Sequence, residues 1–248
     1  MSRVEPGSPS LTHPEYWWYR NREDLLRRGL SQYVGIGSRI LDVGSADGPS
    51  VGWLRERGHR VGIDIDARGL DCGDVCGSAL DLPFRSEAFD VVAGFDVLEH
   101  CSPEGQSLDE FLRVLVPGGV LLLSVPAYQW AWTSHDDLNH HHRRYTRARA
   151  VAAVEDHGFT LLRASYMFAG TLPAFATTRL LARLKERRQP VAPTGPPPLP
   201  ELSKVQERIL SSLTAVDRRL IDRYDLPCGS SVILAARKPE PANGSVTP

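Results

Sequence analysis

The stretch Ile40-Leu41-Asp42-Val43-Gly44-Ser45-Ala46-Asp47-Gly48 constrains this chain more than any other. Apolar, β-favouring residues run into an acid and then into a turn with two glycines, the pattern of a buried strand handing over to a helix. Glycine at 44 and 48 suits a turn that needs positive φ and close backbone approach. A nucleotide-binding turn of this kind works with an acid about 20 residues on, at the end of the next strand, where it grips ribose hydroxyls. Val61-Gly62-Ile63-Asp64-Ile65-Asp66 supplies it, with Asp64 22 residues after Asp42. Loop and acid together predict a nucleotide-binding βαβ unit.

The loop lacks the third glycine of G-x-G-x-x-G, whose free amides would face a pyrophosphate. It reads Gly-Ser-Ala-Asp-Gly, and the carboxylates Asp42 and Asp47 flank it. Carboxylates repel a diphosphate but suit a ligand that carries an ammonium and a sulfonium. That favours S-adenosylmethionine, with an NAD-dependent enzyme as the rival of a different reaction class.

Three blocks, Leu41 to Gly48, Val61 to Asp66 and Leu82-Pro83-Phe84 through Phe89-Asp90-Val91-Val92 to Val97-Leu98-Glu99-His100, resemble the class I S-adenosylmethionine-dependent methyltransferases, type 11 subgroup. Arg113-Val114-Leu115-Val116-Pro117-Gly118-Gly119 looks like that family's turn into the fifth strand. The resemblance covers roughly residues 36–167. It implies an α/β, Rossmann-like, doubly wound and mostly parallel seven-stranded sheet with S-adenosylmethionine as cofactor. The positions it implies for cofactor contact are Asp42, Gly44, Ser45 and Gly48 in the loop, Asp64 and Ile65 after the second strand, Ser78 and Ala79, Phe95, and Tyr16 from a lid. Two positions depart from the family. Ala46 stands where Gly is usual, and Ser78 where an Asp often meets the adenine amino group. The Ser78 hydroxyl still accepts a hydrogen bond, with Asp74 or Asp81 as compensating partners.

A chain of 248 residues suffices for one α/β domain with insertions. Its formal charge of −1 gives no field that would draw in nucleic acid. Cys72, Cys76, Cys101 and Cys228 match no metal or redox spacing. They read as small apolar residues in a reducing cytoplasm, and no metal is expected. Residues 1–10 lack the apolar run of a signal peptide. The apolar run around Val114 to Val125 is broken by Pro117-Gly118-Gly119, short of the ~20 residues of a membrane span.

The expected organisation is an N-terminal extension and aromatic lid (1–34), a core (35–169 plus 230–238), a helical insertion before the last strand (170–229) and a disordered tail (239–248). Tyr16, Trp17, Trp18 and Tyr19 cannot all face one side of a helix, so some must be exposed or line something; a lid over the cofactor competes with plain packing. Strands are predicted near 39–43, 60–64, 73–79, 89–95, 119–125, 159–167 and 231–236, with helices over 108–115 and 148–158. In the insertion, residues 171–188 combine Leu180, Leu181 and Leu184 with five basic residues, which suits an anionic membrane surface, a cap on the acceptor pocket or a solvated face. Val205, Ile209, Leu213, Val216 and Leu220 recur at helical spacing beyond a proline-rich connector, 190–200.

The chemistry is expected in 126–145, a loop leaving the carboxyl end of the fifth strand, where ligands of such sheets bind. It holds four of the eight histidines. Its pattern, His135-Asp136 and then His141-x-Arg143-Arg144-Tyr145 counted as His-x-Arg-Arg-Tyr, is similar to that of O-methyltransferase-like family members that modify sugars and natural products; relatives tend to have Gly at His140. A hydroxyl acceptor benefits from a base. His141 or His135 is the candidate, with Asp136 orienting an imidazole; a structural role and a metal site are the competing readings, and His100 is a further base candidate. Arg143-Arg144 suits either an anionic group on the acceptor or ion pairs that pin the loop. The reading is O-methylation of a small-molecule, glycosylated or lipid-linked acceptor, with a quinone or polyketide-like phenol, or a protein nitrogen, as alternatives. Peripheral membrane contact is compatible with it.

Overall fold

The computed structural model describes residues 13, 15–45, 52–188 and 202–241. Seven strands form one sheet: β1 (Ser38–Val43), β2 (Gly58–Asp64), β3 (Val75–Cys76), β4 (Phe89–Phe95), β5 (Leu115–Pro126), β6 (Thr160–Met167) and β7 (Ser231–Arg237). Their order is β3-β2-β1-β4-β5-β7-β6. β7 runs antiparallel to both neighbours, and the other pairs are parallel. This is the Rossmann-like sheet expected of a class I methyltransferase.

Because successive side chains leave a strand on opposite faces, an apolar run buries both sides of a central strand. Leu41, Val43, Val92 and Leu121 face one core, shared with α3 (Glu104–Val114) and α5 (Arg147–Asp156). Ile40, Val91, Ala93 and Leu122 face the other, shared with α1 (Trp17–Leu30), α2 (Gly52–Arg55) and α7 (Lys204–Ile221). The alternation turns β1 and β4 into a rigid platform whose carboxyl ends carry the site. Gly58 lets β2 start against β1, since a Cβ there would lie 2.0 Å from the Ser38 carbonyl oxygen.

Two expectations change, and one apolar stripe takes a direction that its spacing left open. The third strand is only the pair Val75–Cys76, because Asp74 and the turn before it bond locally rather than extend the ladder. β5 begins at Leu115 and runs through the Pro-Gly-Gly turn, with a register shift between Phe89 and Val91. The apolar stripe of α7 faces outward: Val205, Ile209 and Val216 are exposed, while Thr214, Asp217 and Ile221 are buried. Polar contacts hold that inner face, among them Gly170 N–H donating to Asp217 Oδ1 at 3.1 Å.

Between β6 and β7 the insertion contributes α6 (Leu172–Arg188) and α7. Among described residues α1 packs on α7 and β7. The aromatic cluster is covered in two directions. Trp17 and Tyr19 are buried, and Trp18 stacks on Phe168 at 6.1 Å between ring centroids. Tyr16 precedes the first helical residue, so the helix periodicity does not bind it. The proline-rich connector 190–200 and the first ten residues lie outside the described residues, as does the tail beyond 241. No helix among the described residues is long and apolar enough to cross a membrane.

Candidate active site

The carboxyl ends of β1 and β2 gather the residues expected to meet the cofactor. Gly44 has φ +73°, and a Cβ there would stand 2.3 Å from Val97 Cγ2, so the turn requires glycine twice over. Ser45 is buried with its Oγ unpartnered. Gly48, with Ala46 and Asp47, lies outside the described residues. Asp42 is fully buried; its Oδ2 accepts from Arg60 Nε at 2.7 Å, and Arg60 also pairs with Asp74 at 3.1 Å. Burial pushes the Asp42 carboxyl up to about 6 against the pull of Arg60. Asp42 therefore anchors the strand end beneath the loop. Asp74 is engaged by Arg60 and by the Gly62 and Asp71 amides, which leaves it unsuited to the adenine contact considered for it.

Asp64 sits half-buried at the end of β2, and its Oδ1 accepts from the Asp66 amide at 2.8 Å. Ile65 beside it is 78% exposed, an apolar surface for a flat ring. Gly77 N–H donates to the Asp64 carbonyl at 2.9 Å, which brings Ser78 and Ala79 alongside. The Ser78 Oγ accepts from the Leu80 amide at 3.1 Å and keeps its proton to donate. Phe95 is buried against Trp53, and Tyr16 lies among Trp17 and Tyr19. An unpartnered buried hydroxyl, a carboxylate at the strand end and an apolar ledge fit S-adenosylmethionine, whose ribose would meet Asp64.

On the acceptor side, Asp96 follows β4 with φ +57°. Its Oδ1 accepts from Ser124 Oγ at 2.9 Å, and its Oδ2 pairs with Arg22 of α1 at 2.9 Å. Glu99 is 1% exposed, and its Oε2 has no hydrogen-bond partner. Burial, reinforced by the Asp96 charge, pushes its carboxyl well above the usual range.

The histidine loop closes over this turn. His142 N–H donates to the Glu99 carbonyl at 2.8 Å. Within the loop, α4 (Ser134–Leu138) presents Asp136, which is completely buried. Asp136 Oδ1 receives His141 Nδ1 at 2.9 Å and Arg144 Nε at 2.7 Å, and Oδ2 receives the Thr133 amide at 3.0 Å. Arg179, from α6, approaches to 3.7 Å. Burial alone would raise Asp136, but His141, Arg144 and Thr133 hold it far below the usual carboxylate range. An ionised Asp136 selects the His141 tautomer protonated at Nδ1 when the ring is neutral, leaving the Nε2 lone pair for other work.

The two candidate histidines part company here. His141 sits on Asp136 and meets His100 at 4.7 Å between ring centroids. His135 projects from α4 to the exposed side, where the protein packed beneath it and then the Arg179 charge push its imidazole down to about 4. His140 has φ +56°, a left-handed conformation that accounts for a glycine preference at this position. Arg143 donates to the Cys101 carbonyl at 2.6 Å, and Arg144 donates to the Ala127 carbonyl at 3.1 Å besides Asp136. Both therefore pin the loop rather than offer themselves to an acceptor anion. The Arg22–Asp96–Ser124 link escaped sequence reasoning, although a buried arginine one turn after Trp18 on an aromatic helix face was its available signal.

A family model described as a methyltransferase domain, type 11, matches residues 41–123. The chain is 27% identical over 233 residues to a Mycolicibacterium smegmatis protein named "Probable S-adenosylmethionine-dependent methyltransferase", covering 88% of this chain and 90% of that one. It is 29% identical over 148 residues to an uncharacterized methyltransferase of Mycobacterium leprae, covering 52% of this chain and 55% of that protein. Among solved structures, the [4+2]-cyclase SpnF shares the fold with a TM-score of 0.55 at 21% identity, over 89% of this chain and 81% of that chain. Haemonchus contortus phosphoethanolamine N-methyltransferase 2, solved with S-adenosyl-L-methionine, gives 0.55 at 18% identity, over 93% of this chain and 57% of that chain. At such identities the structural likeness shows the fold alone, and these two folds host different chemistry. Sequence match, sheet order and cofactor edge agree with a class I S-adenosylmethionine-dependent methyltransferase, residues 41–123 of which match the type 11 methyltransferase domain.

Proposed function

We propose that this enzyme methylates a hydroxyl of a glycosylated, sugar-containing or lipid-linked metabolite, with His141 as the base. The observation that carries the reading is the His141 Nδ1 to Asp136 Oδ1 contact of 2.9 Å, in the loop that leaves the carboxyl end of β5. Methyl transfer is an in-line displacement. The acceptor oxygen forms the C–O bond, the C–S bond breaks, and the thioether leaves with the electron pair, needing no proton. The hydroxyl proton passes to His141 Nε2, and Asp136 stabilises the imidazolium that results. Positioning supplies much of the remaining rate.

The lipid-linked part of the reading is supported by Leu180, Leu181 and Leu184 on α6, which are 51%, 60% and 51% exposed. Exposed Lys185 and Arg187 lie on the same helix, the pairing of apolar and basic residues that suits an anionic lipid surface. The aromatic cluster, which would suit a phenolic acceptor, is instead packed on Phe168. In this reading α1 still covers the cleft as a lid, held by Arg22 on Asp96.

His141→Ala is expected to lower turnover by roughly 10²–10⁴-fold while S-adenosylmethionine affinity, read by calorimetry, stays within about twofold. Full turnover in this variant would remove the base assignment. Binding to anionic vesicles that survives Leu180→Ser with Leu184→Ser unchanged would remove the lipid-surface role of α6.

A further inference from the structure

We propose that Glu99, His100 and His141 bind a divalent transition-metal cation on the acceptor side of the cleft. The three residues each offer a ligand atom, and these atoms lie within 4.8 Å of one another. They come from two segments that the fold fastens together, the turn after β4 and the histidine loop, through the His142 amide on the Glu99 carbonyl at 2.8 Å. Two further observations point to a ligand. Glu99 is 1% exposed, yet its Oε2 has no hydrogen-bond partner, a state that a buried carboxyl oxygen does not ordinarily tolerate. His141 holds its Nδ1 on Asp136 at 2.9 Å, which leaves Nε2 as the nitrogen to ligate with. A carboxylate that fixes the far nitrogen of a ligating imidazole is the usual outer support of a metal-binding histidine.

The donor set selects the ion class. Two imidazoles and one carboxylate suit Zn²⁺, Fe²⁺, Co²⁺ or Mn²⁺ better than Ca²⁺ or Mg²⁺, which prefer oxygen ligands. Ligand atoms around a cation with bonds of about 2.1 Å stand roughly 3.0–3.5 Å apart, so the cluster must close by about 1 Å. His100, exposed at the rim, can supply that movement by side-chain rotation. Three protein ligands leave coordination positions open to solvent or substrate.

This deepens the acceptor-side reading and rests on it only in placing the hydroxyl near His141. One lone pair serves one purpose at a time. In the cation-free enzyme His141 Nε2 is the base; with a cation bound it would be a ligand, and the cation would supply the acidification of the hydroxyl instead.

The test uses the full-length protein, stripped with a chelator and dialysed, then titrated with Co²⁺ alone by calorimetry and visible absorption, without cofactor or acceptor. The expected result is one saturable site per chain, displaced by Zn²⁺. Glu99→Gln and His141→Ala should each abolish it, and His100→Ala should weaken it at least tenfold. Asp136→Asn, acting through His141, should weaken it roughly 10–100-fold. Circular dichroism establishes that each variant is folded, and the exposed position of His100 keeps one variant free of folding effects. Failure of the wild type to bind Co²⁺, Zn²⁺ or Mn²⁺, or binding unchanged in His100→Ala and Glu99→Gln, overturns the site. Because binding is read without turnover, that failure leaves the methyltransferase reading standing, while loss of methyl transfer alone would leave the cation site standing.

Discussion

Asp136→Asn is the substitution that most sharply separates a buried charge network from ordinary loop packing. The wild-type carboxylate is fully buried and accepts from His141, Arg144 and the Thr133 amide. Asparagine keeps the volume but removes the charge, leaving the Arg144 guanidinium, whose side chain is 3% exposed, without its counter-ion. Stranding one partner of a buried pair costs about 3–5 kcal/mol. The Ala127 carbonyl still accepts from Arg144, so the lower half of that range, about 3–4 kcal/mol, applies. For a domain of this size 1 kcal/mol moves Tm by about 2–4 °C, giving an expected drop of roughly 6–16 °C by circular dichroism. If the stranded cation is the cause, Asp136→Asn with Arg144→Met should recover at least about 1 kcal/mol relative to the sum of the single variants. A Tm within about 2 °C of wild type, or strict additivity in the double variant, would show that Asp136 does not hold Arg144 as a buried counter-ion.

Gly44→Ala forces a side chain into φ +73° and against Val97, and is expected to weaken S-adenosylmethionine at least about tenfold; unchanged calorimetric affinity would contradict the role of the turn. For Asp42, burial raises the folded-state carboxyl to about 6, above the ~3.9 of an unfolded chain. The folded protein thus binds this proton more tightly, so the stability it contributes is full below about pH 4 and lost as pH rises to about 6. Asp42→Asn should therefore gain about 1–3 kcal/mol on wild type between pH 4 and pH 7 in urea titrations, and a constant difference would contradict it. Gly229→Ala places a Cβ 2.2 Å from the Met167 carbonyl oxygen and should destabilise the β6–β7 join by about 1–3 kcal/mol, measured by the same titrations.

The parts of the fold legible in sequence were those governed by local periodicity and turn chemistry. Ile40 to Val43 and Val61 to Asp64 read as strands because apolar residues run on both faces, and the spacing from Asp42 to Asp64 foretold two neighbouring parallel strands. The histidine loop was legible by its residue types, and Asp136 was expected to orient an imidazole, which the 2.9 Å contact shows to be that of His141 rather than His135. What stayed hidden depends on contacts distant in sequence. Arg22 meets Asp96 from the N-terminal helix, and Arg179 meets Asp136 from the insertion. No period or motif joins such pairs. On α7 the helical spacing of Val205, Ile209 and Val216 identified a stripe but carried no direction; the buried face belongs to Thr214, Asp217 and Ile221. Asp42 illustrates a third limit, since an acid beside a cofactor loop shows nothing in sequence of the arginine that holds one of its oxygens from beneath.

The proposed reaction is transfer of a methyl group from S-adenosylmethionine to a hydroxyl, with His141 as the base. Its most direct measurement is incubation of the enzyme with carbon-13-methyl S-adenosylmethionine and a glycolipid-containing extract, followed by mass spectrometry and NMR of the labelled product. Wild type is expected to place label in a methyl ether on a sugar-containing or lipid-linked metabolite, reduced roughly 10²–10⁴-fold with His141→Ala. Label appearing on nitrogen or carbon, or in equal amount with His141→Ala, would contradict it.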